Sequence, residues 1–563
     1  MNTVQRTARF LALAILALLG EGCDDGANQA ASAVPLYDDL GDYHYAITTA
    51  DPVAQQYFDQ GLRLYYAFNH AEAIRSLREA QRLDPECAMC WWAEAMAWGP
   101  NINLPMDSAS GAAAYAAEQE ALALRRHASE SERALIDALA VRYEAVPPEE
   151  RAELDRAYAS AMADVARSYP ADLDIGVLYA ESLMDLRPWD YWTEEGTPQP
   201  GIEDALSHLE LALQRNPRHP GACHFYIHAV EKIYPERAVP CAERLASLMP
   251  GAGHLVHMPG HIYIRVGRYL DAVAANEHAV HADETYIRDQ RPGMGMYTAG
   301  YYPHNYDFMA FAATMIGRSS QAIDAAEKVS TLIPAEMFGT PGMDFLQHWS
   351  IRPLLVRVRF ARWDELLATP APPADRPHSL GMWHYARGRA LAATGDVAGA
   401  LRELEELRSI EQRPELRELK LEYNLSPDLL RIADGVLTGW TEAAAGRHDA
   451  GVAALRDAVL AEDRLVYGEP PEWTVSARQD LGAVLLEAGR AAEAEQAFRE
   501  DLQRFPENGW SLHGLATALR LQGRNAEADT VSVDFQRVWA TADVDETGVI
   551  PLPTPSPGPG GGE

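Results

Sequence analysis

The feature that most constrains this chain is a register of small residues that returns about every 34 positions. In AQQYFDQGLRLYYAFNHAEAIRSLREAQRLDP, counted from Ala54, Gly61 stands at position 8, Ala73 at 20, Ala80 at 27 and Pro85 at 32. Small residues there let two helices cross closely, and the proline ends the second helix. Gly260, Tyr263, Gly267, Ala272 and Ala279 fit a unit from Gly253, and Gly317, Ala322, Ala326 and Pro334 fit one from Pro303. Gly482, Gly489, Ala494, Phe498 and Pro506 fit another from Val475. Further units start near Gly381, Ile432 and Gly509, and weaker ones near Ala88, Leu173, Pro220 and Gln347. Length alone divides 563 residues into three or four domains. A repeat of this period instead makes one stack over about residues 50–540, with insertions near 101–130, 187–202, 282–302 and 365–378. Strand-like alternation is scarce, so an almost wholly α-helical chain is predicted.

These units resemble the tetratricopeptide repeat, a helix–turn–helix module. The resemblance implies an all-α fold, a right-handed α-solenoid of such pairs, with an N-terminal part over 51–340 and a C-terminal part over 341–540. It also implies that the first helix of each unit lines a concave surface through positions 2, 5, 9, 12 and 13. HPGACHFYIHAVE, GHLVHMPGHIYIRVGRY, FNHAEAIRS, GPNINLPM and YYPHN further resemble a group of bacterial histidine-rich tetratricopeptide lipoproteins. That likeness brings no activity with it.

Histidines concentrate at the implied groove positions. GHLVHMPGHIYIRVGRY, read as one helix, carries His254, His257 and His261 at positions 2, 5 and 9 of its unit, within an arc of about 60° at 100° per residue. Most of its aliphatic residues fall on the other side. The preceding unit places His224, His228 and Glu231 at positions 5, 9 and 12. His224 precedes His257 by 33 residues, as His228 precedes His261, so two adjacent helices present aligned pairs. His304 and Asp307 occupy positions 2 and 5 of the next unit, and Glu181 and Asp185 positions 9 and 13 of an earlier one.

An i,i+4 histidine pair puts two imidazoles one turn apart on one side of a helix, where both can reach one ion. The expected metal ligands are His224, His228, His254, His257, His261, His304 and Asp307, with Glu181, Asp185 and Glu231 as candidate catalytic carboxylates. Imidazoles with carboxylates suit copper, iron or zinc, one ion or two. The expected function is a metal-binding solenoid, with hydrolytic or oxidative enzyme chemistry both compatible. The alternatives are a membrane-tethered scaffold holding a peptide, protein or small molecule in the groove without metal, and a metal store. His70, His348, His384 and His513 read as ordinary helix histidines, and His219, His278 and His281 as surface ones. Asn101 and Asn103 in GPNINLPMD fit a loop capping the groove, or simple turn formers. EPPEW, Glu469–Trp473, with Trp440, Trp510 and Trp539 fits an aromatic ligand lining or core packing.

The N-terminus speaks to compartment. Arg6 and Arg9 precede FLALAILALL, an apolar run too short to span a bilayer, so residues 1–22 read as a signal peptide. LGEGC then puts Cys23 where bacterial lipoproteins are acylated, which predicts an exported, lipid-anchored protein of the cell envelope or periplasm with a flexible linker over 23–50. Against 82 acidic residues stand 48 basic ones, a formal charge of −34 that argues against nucleic acid as a partner. An exported chain can oxidise its cysteines, and Cys87 with Cys90 and Cys223 with Cys241 is the simplest pairing. PLPTPSPGPGGGE cannot pack, so 541–563 reads as a disordered tail.

Overall fold

The computed structural model describes residues 34–338 and 343–544. Among these the regular structure is all helical, with three isolated bridges and no strand. Helices that follow one another in sequence pack on one another, Pro52–Tyr66 on His70–Leu83 and Ser426–Ala444 on His448–Glu462 among others. The fold is an all-α helical solenoid. It divides into two compact units, one of Met1–Ile262 with Glu277–Tyr302, the other of Tyr263–Asn276 with Pro303–Glu563.

Local chemistry explains the first helix pair. Pro52 opens its helix where an amide hydrogen has no partner to lose, and Asp51 caps it by accepting from Val53 and Ala54. Asn69 caps the second helix through the Glu72 amide. A β-carbon on Gly61 would lie 2.6 Å from Leu77 Cγ, so the small residue at position 8 is what lets the helices touch. Trp440, Trp510 and Trp539 serve packing more than a ligand lining: Trp510 donates to the Thr314 carbonyl (2.7 Å) and packs edge-on against Trp539, while Trp440 donates to Asp480 (2.6 Å).

Several expectations need correction. Residues 34–50, read as flexible linker, run as extended chain fixed to the first unit. Tyr37 donates to Glu72 (2.8 Å), Tyr43 to Asp174 (2.7 Å) and Tyr45 to Asp172 (3.0 Å). Each of the three tyrosine hydroxyls meets a buried or half-buried carboxylate. His219, read as a surface residue, is fully buried; it caps the helix Pro220–Val230 and lies 3.0 Å from the Tyr43 hydroxyl. GHLVHMPGHIYIRVGRY is not one helix but two, Gly253–His257 and Pro259–Arg265, because Pro259 has no amide hydrogen to continue the ladder. Cys87 and Cys90 form a disulfide, whereas Cys223 and Cys241 are buried free thiols. The first residues of the tail are packed in the second unit, Asp543 accepting from the Ser319 and Ser320 amides. The signal segment, Cys23 and residues 545–563 lie outside the described residues.

Candidate metal centre

The helix Pro220–Val230 carries His224 and His228 one turn apart, with Glu231 at its C-cap. Gly221 sets its position: a β-carbon there would lie 2.5 Å from the Tyr66 ring. This close approach brings the Tyr66 carbonyl to 2.7 Å from His224 Nδ1. A carbonyl only accepts, so His224 Nδ1 carries the proton and Nε2 keeps a lone pair. That lone pair faces His254 Nε2 at 3.2 Å.

Glu231 does a similar job for two more rings. Its carboxylate oxygens lie 3.5 Å from His228 Nδ1 and 3.0 Å from His261 Nδ1. The bond from His228 Nδ1 to this carboxylate holds the proton there and turns that ring's Nε2 lone pair outward. His261 Nε2 in turn lies 2.9 Å from His257 Nε2. One ligand nitrogen from each of His224, His228 and His254 falls within a mutual 4.8 Å, as do ligand atoms of His228, Glu231 and His261.

The five histidines are 0–3% exposed. Sequence reasoning turned their face toward an open groove, but rings from other segments cover it. Phe68 sits 4.5 Å from the His224 ring and 5.4 Å from His254, Tyr301 4.5 Å from His254, and Trp189 5.2 Å from His228. Asn103, from the loop singled out in the sequence, accepts from the Trp189 indole at 3.1 Å. Phe68 reaches this place with a positive φ of 56°, unusual for a bulky residue, and no periodicity in the sequence signals it. The π-helical turn Tyr297–Tyr301 that delivers Tyr301 is equally silent in sequence.

Burial sets the charge of the cluster. Desolvation holds His224, His228 and His254 well below the usual imidazole range, and repulsion among the rings adds to it. These rings are neutral, the form that ligates metal. Neutral rings alone do not complete the hydrogen bonding: His228 Nε2 and His254 Nδ1 have no hydrogen-bond partner among the described residues. Each such buried group costs about 1–3 kcal/mol.

The carboxylates expected beside the histidines have other partners, Glu231 excepted. Glu181 accepts from the Tyr65 hydroxyl (2.7 Å) and Asp185 from Arg142 (2.8 Å). Burial pushes both carboxyls up, Glu181 further because Asp185 is beside it. Asp307 belongs to the second unit and pairs with Arg352 at 2.7 Å, both buried. His304, in the same unit, is half-buried with its ring edge-on to Phe308. Repeat-unit position named these residues by helix face alone, and helix face does not tell which neighbour an arginine or tyrosine reaches first.

No family model matches this chain, and no curated protein does. Among solved structures it is similar to the human IFIT1 dimer with m7Gppp-AAAA, at a TM-score of 0.31 and 12% identity over 89% of this chain and 92% of that one. It is also similar to the TPR domain of P58(IPK), at 0.22 and 12% over 84% and 98%. Likeness at this level carries no argument about what this chain binds.

Proposed function

We propose that the chain is an exported metalloprotein whose first unit holds a transition metal, copper, iron or zinc, on the imidazoles of His224, His228 and His254. The observation that carries this reading is the clustering of five buried histidines, of which His224, His228 and His254 are held neutral by burial, with His224 meeting His254 and His257 meeting His261 through Nε2. Tyr66 stands behind His224 Nδ1 and Glu231 behind His228 Nδ1, and one ligand nitrogen from each of these rings and from His254 falls within a mutual 4.8 Å. His261 and His257 extend the donor set, with room in it for a second ion. A three-imidazole site leaves one position for a further ligand and supplies Lewis-acid or redox chemistry there when bound. Its burial suits a resident ion rather than one sampled from solvent.

Export and lipid anchoring through Cys23 rest on the N-terminal sequence, and the Cys87–Cys90 disulfide supports an oxidising compartment. The rival reading is a scaffold that holds an extended peptide. Beside that reading, residues 34–50 lie extended against three helices of the first unit, at Glu72, Glu132 and Asp174.

Elemental analysis of protein purified without a metal-binding tag tests the proposal. About one transition-metal ion per chain is expected, lost on His224→Ala with His254→Ala. Metal-free protein whose unfolding ignores chelators would overturn it, and peptide binding unchanged in that variant would favour the scaffold.

A further inference from the structure

The second unit contains a polar cavity that has no part in the metal reading. EPPEW forms one side of it through Glu469, Glu472 and Trp473, and Glu462, Arg265 and Arg504 complete its polar lining. Its volume of about 60 Å³ is roughly four to six times what one water needs. The arginine side chains are 22% and 33% exposed, while the three carboxylates are buried. The lining therefore runs from a cationic, solvent-facing side to an anionic interior.

Two of these groups are incompletely matched. Glu462 accepts from the Ala477 amide at 2.8 Å through Oε2, but Oε1 makes no hydrogen bond and has only Arg504 at 3.7 Å. Trp473 is 2% exposed, and its indole N–H has no acceptor among the described residues. The other carboxylates are engaged: Glu469 accepts from the Tyr467 hydroxyl, and Glu472 from the Tyr423 and Asn424 amides (3.0 and 3.1 Å). Burial pushes the Glu462 carboxyl up to about 7, as expected of a charge short of a partner.

The lining thus brings together a carboxyl oxygen and an indole N–H, each without a hydrogen-bond partner among the described residues, with two guanidiniums on its outer side. A simple amine would leave the indole donor bare, and a simple carboxylate would set two anions together. We propose that this cavity binds a small amino-acid zwitterion of the size of glycine or alanine. Its ammonium donates to Glu462 Oε1, and its carboxylate accepts from Trp473 Nε1 and faces Arg504 and Arg265.

Calorimetric titration of the full chain with glycine and L-alanine at neutral pH tests this, with methylammonium and acetate as the separate halves. Saturable binding of at least one amino acid is expected, tighter than either half. Glu462→Gln and Trp473→Phe should each weaken it by about tenfold or more, as loss of a hydrogen bond to a charged group does. Circular dichroism identifies which variants are folded, and either folded variant suffices for the comparison. No saturable heat with either amino acid, acetate binding as tightly as glycine, or affinity unchanged in a folded variant would overturn the proposal.

Discussion

Buried histidines meet nitrogen to nitrogen in both units, but the two groups end differently. In the second unit His348 Nε2 lies 2.9 Å from the Glu472 carbonyl and Nδ1 3.0 Å from His378 Nε2, whose own Nδ1 lies 2.8 Å from the Ser426 hydroxyl. One tautomer assignment satisfies all four nitrogens: His348 donates to the carbonyl, His378 donates to His348, and Ser426 donates to His378. In the first unit no such chain closes. His224 and His254 meet through Nε2, and His228 Nε2 and His254 Nδ1 end without a hydrogen-bond partner among the described residues. The same residue type at similar burial therefore serves two ends. A histidine network that closes on oxygens is a structural polar core, and one that ends on bare lone pairs asks for a cation.

That contrast can be broken experimentally, starting with the largest effect. Metal removal by a chelator should destabilise the chain by about 4 kcal/mol if the ion is present at a thousandfold its dissociation constant. The same loss should appear in His348→Ala but not in His224→Ala/His254→Ala, as read by thermal unfolding with and without chelator. Next, His348→Ala should cost about 2–4 kcal/mol in denaturant unfolding, because it empties a buried site and leaves the His378 Nε2 proton without its acceptor, while leaving metal content unchanged. Glu231→Gln should weaken metal affinity about 10- to 100-fold in competition titrations, since a neutral amide holds the Nδ1 protons of His228 and His261 less firmly.

A further effect is on pH dependence. Burial lowers His378 to about 3, against about 6.5 in the unfolded chain. Between those values the unfolded chain binds a proton that the folded one does not, so stability falls as pH drops below 6.5, by about 1.4 kcal/mol per unit from this group. His378→Gln should flatten the acid limb by that amount, and an unchanged slope would show that His378 is protonated in the fold.

The sequence made the helix pairs and the clustering of the histidines legible, because both depend on period. Gly61 at position 8 is required by Leu77 across the crossing, and the i,i+4 pair of His224 and His228 does put two imidazoles on one side of one helix. The 33-residue spacing also brought His228 and His261 together, with ring centroids 5.3 Å apart. It failed for His224, which meets His254 instead of His257, because Pro259 breaks the helix and shifts the register of what precedes it. What covers the site was not legible. Phe68 and Trp189 depend on positive-φ turns, and Tyr301 on a π-helical turn, none of which leaves a periodic trace. Nor was the division of carboxylates: Asp185 and Asp307 are taken by Arg142 and Arg352, whose approach depends on tertiary packing rather than helix face.

X-ray absorption at the metal edge, on protein purified without a metal-binding tag, tests the central claim most directly. The account predicts a stoichiometric transition metal with about three nitrogen neighbours near 2.0–2.1 Å and the outer-shell scattering of imidazole rings, lost in His224→Ala/His254→Ala. A protein without stoichiometric metal, or a metal whose spectrum lacks imidazole, would contradict it.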